Sequence, residues 1–124
     1  MSLKSTPLLL LYTHLVITLV SLVSLVVEIS VDRTDPPGFT PENPSDYRAA
    51  SGPQIVTCTA TGGTGSGPTY QWSSTCAGCA FSSTTDAVII RPALHSGDTG
   101  THTCTATRGG ETAMDSIEIN IVGE

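Results

Sequence analysis

Apolar and polar positions divide this chain into two unequal parts. Leu8 to Val27 is an almost unbroken apolar run, interrupted only by Tyr12, Thr13, His14, Thr18, Ser21 and Ser24. After it the period shortens to two. Val27, Ile29 and Val31 alternate with Glu28, Ser30 and Asp32, the pattern of a half-buried strand. Gln54 to Thr61 repeats it, with Val56, Cys58 and Ala60 on one face and Ile55, Thr57 and Thr59 on the other. Further strands are predicted over Thr69 to Ser73, with Tyr70 and Trp72 inward and Gln71 out, and over Ala87 to Arg91, with Val88 and Ile90 inward. Two more end the chain: one running to Thr107, and one over Thr112 to Val122 that turns Ile117, Ile119 and Ile121 inward and Glu118 and Asn120 outward. No segment after residue 27 reads as helix, so the expected class is all-β.

The apolar run has two readings. About 20 apolar residues suffice to cross a bilayer as a signal anchor. A short start with one base, Lys4, and no acid, followed by an apolar centre, also fits a cleaved secretory signal. The strand pattern beginning at Val27 shortens the spanning stretch from its C-terminal end and favours cleavage near Ser24. The expected organisation is a leader over 1–24 (an anchor would extend to 27) and a single domain over 25–124.

Turn chemistry separates the strands. Pro36, Pro37, Pro41, Pro44 and Pro53, with Gly38 and Gly52, make 34–53 a loop or extended edge segment, because proline brings no ladder donor. Gly62 to Pro68 reads as a flexible loop. Gly62 and Gly67 have the spacing of a phosphate loop, but Pro68 stands where that motif needs lysine. Arg108-Gly109-Gly110-Glu111 reads as a two-residue hairpin whose central positions favour positive φ. About a dozen residues between 74 and 87 leave room for one short strand near Ala80 to Ser83. Asn43-Pro44-Ser45 is barred from N-glycosylation by its proline.

Charge narrows the class of partner. From Leu25 onward eleven acids face four arginines, a formal charge of −7. Such a surface repels phosphate backbones and anionic lipid heads, which argues against nucleic acid. Four cysteines in 124 residues behind an apolar leader point to an oxidising compartment.

Two clusters invite a chemical reading. Cys76-Ala77-Gly78-Cys79 has the spacing of a redox or zinc motif. Its candidate zinc partners, His95 and His102, lack finger spacing, and no helix start lies nearby to activate a redox cysteine. A small disulfide closing the turn is the expected state, with no metal and no cofactor. His95, Ser96 and Asp98 suggest a hydrolytic triad, yet three residues within four positions of one loop do not reach its geometry, so no catalytic residue is assigned.

The segment Asp98-Thr99-Gly100-Thr101-His102-Thr103-Cys104 resembles the Asp-x-Gly-x-Tyr-x-Cys signature of immunoglobulin-like domains, with His102 at the tyrosine position. Cys58 and Trp72 then match the family's paired cysteine and core tryptophan. The resemblance covers about Val26 to Val122. It implies a two-sheet antiparallel sandwich of about seven strands, of compact constant or intermediate type, pinned by a Cys58–Cys104 disulfide beside Trp72. Asp98 is expected to cap the corner and pair with Arg91, Leu94 to plug the core below it, and a ring nitrogen of His102 to replace the tyrosine hydroxyl.

The role that this resemblance implies is recognition of a protein, homophilic binding included, by a secreted or cell-surface module of adhesion or receptor type. Gln71, Ser73, Thr103 and Thr105, on the exposed polar rows, are the candidate contacts. The alternative is a spacer in a larger membrane-anchored array, and a membrane association would need an uncleaved leader or further chain.

Overall fold

The computed structural model describes residues 23–76, 79, 81–91 and 93–123; apart from Val23 and Ser24, the leader expected over 1–24 lies outside them. No helix among the described residues is long and apolar enough to cross a membrane. Seven strands follow in order among these residues: β1 (Val26–Asp32), β2 (Asp46–Arg48), β3 (Gln54–Thr61), β4 (Thr69–Ser74), β5 (Val88–Arg91), β6 (Gly100–Arg108) and β7 (Glu111–Val122). A 3-10 turn at Ser96–Asp98 precedes β6. They form two sheets, β1-β3-β5 and β2-β7-β6-β4.

The inward rows of the two sheets meet in one core. Val27, Val56, Cys58, Trp72, Ile89, Cys104 and Ala106 are buried there, flanked by Ile29, Val31, Ala60, Tyr70, Phe81, Ala113 and Ile117. The expected alternation in β1, β3, β4 and β7 holds throughout this list. Cys58 and Cys104 are bonded, with 6.4 Å between their Cα atoms, and so link β3 of one sheet to β6 of the other. Trp72 lies opposite Cys104 in the β4–β6 register and is 2% exposed. Burying an indole removes roughly 150–250 Å² from water, about 4–6 kcal/mol as an upper bound. Its Nε1 donates to the Asp86 carbonyl at 2.8 Å, so the polar edge of the ring is satisfied as well. A smaller cluster of Tyr47, Leu94 and Ile119, with Ile121, closes one end of the core.

The structure corrects the expected pattern in four places. In β5 the inward residue is Ile89, whereas Val88 and Ile90 are 45% and 46% exposed. Pairing sets this parity: Ile89 lies opposite inward Val56, and a one-residue shift would turn every side chain over. Second, Phe81 to Ser83 form no strand. Ser82 and Ser83 instead accept backbone N–H groups of Ile90, Thr85 and Asp86 through their hydroxyls, offering the chain an alternative to a ladder. Third, the proline-rich 34–53 segment contains β2, which pairs with β7 in parallel, so the sheets are not wholly antiparallel.

That segment is held down along its length. The Arg33 guanidinium lies 3.8 Å from the centre of the Tyr47 ring, donates to the Pro44 and Asp46 carbonyls, and forms an ion pair with Asp35. Buried Gln54 exchanges two side-chain hydrogen bonds of 2.9 Å with the backbone of Thr34.

Fourth, the glycine-rich loop expected to be flexible is tied to the β6–β7 hairpin. Arg108 donates from its three guanidinium nitrogens to the carbonyls of Gly65, Gly62 and Gly67. The hairpin itself is as expected, with Arg108 opposite Glu111 and Gly109 and Gly110 at φ of 56° and 83°. The side chains of its flanking residues, however, reach different parts of the chain. Glu111 accepts the Leu25 backbone N–H at 2.8 Å.

Candidate functional site

Outside the core around Cys58 and Trp72, the residues singled out in the sequence gather in two regions. One is a corner where β6 begins. Because Ile89 faces inward, so does Arg91 two residues on, and its guanidinium meets the fully buried carboxylate of Asp98 in an ion pair. Asp98 also closes the 3-10 turn, accepting the His95 backbone N–H at 2.9 Å while His95 Nδ1 accepts from Gly97. His95 Nε2 lies 3.6 Å from the same carboxylate on a largely exposed side chain. His95 and Asp98 therefore serve as the reciprocal caps of one turn.

His102 is 3% exposed, and its Nε2 lies 3.2 Å from the Asp98 backbone carbonyl. A carbonyl only accepts, so Nε2 carries the proton and donates it to this hydrogen bond. Burial lowers the His102 pKa, and the nearby Arg91 charge lowers it further. Burial also lowers that of Arg91. Phe81 covers the group, edge-on to His102 with ring centres 6.1 Å apart and 5.9 Å from the Arg91 guanidinium. Gly100 lies where a Cβ would meet Thr75 Oγ1 at 2.7 Å, so a side chain there would push the turn after β4 away from β6.

That turn carries the second cysteine pair. Cys76 and Cys79 are bonded and partly exposed, with 5.7 Å between their Cα atoms. Ser74 Oγ lies 2.9 Å from Cys76 Sγ, and Arg91 Nη2 lies 3.7 Å from Cys79 Sγ. Although sequence spacing argued against a partner for this pair, folding brings His102 to it. The two sulfurs and a ring nitrogen of His102 lie within 4.8 Å of one another. His102 sits 23 positions beyond Cys79 on another strand, so only the β4–β6 pairing reveals the cluster.

The other surface is the outer face of the four-stranded sheet. Gln71 lies opposite Thr105 and Ser73 opposite Thr103, so the four candidate contacts form two adjacent cross-strand pairs. Thr103 Oγ1 and Ser116 Oγ are 2.7 Å apart, extending the hydroxyl row to β7, and exposed Met114 lies opposite Thr105. The outward rows of β4 and β6 hold only Thr, Ser and Gln, without a charge. A shallow depression of about 490 Å³ opens beside them, lined by Pro68, Thr69, Tyr70, Gln71, Thr85, Thr105 and Thr107. Such a face offers hydrogen bonds and a few apolar contacts. A scan against protein-family models finds no match for the chain, and a search of curated proteins finds none either.

Proposed function

We propose that the chain is an extracellular immunoglobulin-like module that recognises a protein through the outer face of β4 and β6. The observation that carries this reading is the assembly of Gln71, Thr105, Ser73 and Thr103 into one uncharged polar patch beside an open depression. In a molecule with a formal charge of −6, an uncharged face is the region where another protein approaches without charge repulsion. Three features support the family. The β1-β3-β5 and β4-β6-β7 groupings match the family's division of strands, a disulfide joins the two groups, and a tryptophan packs beside it. The two disulfides fit an oxidising compartment.

The test expresses the full chain in a secretory host, sequences the N-terminus of the product, and screens multimers of it against cell-surface proteins and against itself. The expected result is a secreted product whose binding is lost in the Gln71→Arg/Thr105→Arg double variant at an unchanged melting temperature. Retention in the cell, or binding indifferent to both substitutions, would sink the proposal.

A further inference from the structure

The cluster at the corner of β6 has the composition of a metal site whose cysteines are held oxidised. Of the two disulfides, Cys58–Cys104 is shielded, its residues 2% and 0% exposed, whereas Cys76 and Cys79 are partly open to solvent. Exchange needs a thiolate or phosphine to reach a sulfur, so the open bridge is reduced first. We infer that, after such a reductant opens this bridge, Cys76, Cys79 and His102 bind one Zn²⁺ ion, with water in the fourth position. The reduction is a two-electron step: an external dithiol becomes a disulfide, and Cys76 and Cys79 become thiols. Binding then releases their two protons as the sulfurs ligate as thiolates.

Four observations converge on this assignment. The ligand atoms are already gathered, within 4.8 Å of one another. A tetrahedral ion with sulfurs at about 2.3 Å holds them about 3.8 Å apart. Opening the bridge is therefore a small displacement. Second, the donor set is that of a zinc site with three protein ligands and an open position.

Third, the imidazole is in the required state. Its Nε2–H is directed at the Asp98 carbonyl, which leaves Nδ1 with its lone pair, the outer-shell arrangement that orients ligating histidines. Fourth, the charges balance: two thiolates offset the dication, and Arg91 and Asp98 offset each other. Asp98 Oδ1 lies 3.5 Å from Cys79 Sγ but is engaged by Arg91, which is why water takes the remaining position.

The test uses the full oxidised chain treated with a phosphine reductant, with free thiols counted by alkylation and mass. Two thiols are expected, with Cys58–Cys104 retained. Co²⁺ is then titrated in as a spectroscopic probe and displaced by Zn²⁺. Expected are one ion per chain, a thiolate-to-cobalt charge-transfer band only after reduction, and affinity at least about tenfold weaker in His102→Gln, the low end even for an outer-shell partner.

Because His102→Gln disturbs the core, X-ray absorption of the unmutated zinc-loaded chain gives an independent reading, with two sulfurs and one imidazole expected in the shell. The inference is overturned if both bridges open together, if no charge-transfer band develops, if His102→Gln binds as tightly, or if the shell lacks imidazole.

Discussion

His102 shows how one buried ring couples the corner to pH. Burial first and the Arg91 charge second hold its pKa below the ordinary value near 6.5. The unfolded chain therefore takes up a proton that the folded domain resists. Stability is complete above about pH 6.5 and is lost as pH falls through that value toward the lower folded pKa. The melting temperature of the oxidised domain is expected to drop between pH 7 and pH 5. His102→Tyr, which supplies a hydroxyl that does not titrate there, should remove this share of the drop. Equal pH slopes in the two proteins would contradict the assignment. The identity of this residue as a corner residue was legible from Asp98-x-Gly100-x-His102-x-Cys104. Its proximity to Cys76 and Cys79 was not, because that depends on which strand lies beside β6.

At the scale of elements, β5 and the β6–β7 hairpin separate local from tertiary causes. Ala87-Val88-Ile89-Ile90-Arg91 places three β-branched residues in a row, so alternation is absent and the strand can be read in either parity. Placing Val88 and Ile90 inward was also incompatible with an inward Arg91, since residues one apart face opposite sides. The ladder with β3 decides for Ile89 and Arg91. Ile89→Ala should cost about 2–5 kcal/mol, and Val88→Ala or Ile90→Ala under about 1, in chemical denaturation. The reverse order would restore the sequence reading.

The hairpin permits a finer comparison. A Cβ at Gly109 would collide with the Thr64 carbonyl, whereas one at Gly110 meets nothing within 4 Å. Both positions have positive φ, so each Gly→Ala change carries a backbone cost of about 1 kcal/mol. Gly109→Ala should cost at least about 1 kcal/mol more than Gly110→Ala, and should speed amide exchange across 62–67. Equal losses would mean that the loop does not rest on the hairpin.

For the molecule as a whole, the two disulfides have unequal weight. The Cys58–Cys104 bridge spans 46 positions, and the Cys76–Cys79 bridge three. Chain entropy assigns them about 4 and about 2 kcal/mol respectively. Paired Cys→Ala replacement at 58 and 104 should thus lower unfolding free energy by about twice as much as replacement at 76 and 79. A larger loss from the second pair would shift the main structural role to the corner. The all-β class, the bounds of β3 and most of β7, the hairpin and the inward rows of four strands were determined by the sequence alone. Each follows from side-chain period and turn chemistry, which act between neighbours a few residues apart. Tertiary structure decided the parity of β5, the parallel pairing of β2 inside a proline-rich stretch, the anchoring of the glycine loop by Arg108, and the convergence of Cys76, Cys79, Asp98, Arg91 and His102. These rest on contacts between residues distant along the chain, whose partners are chosen by strand order and register, and neither is written into the local pattern.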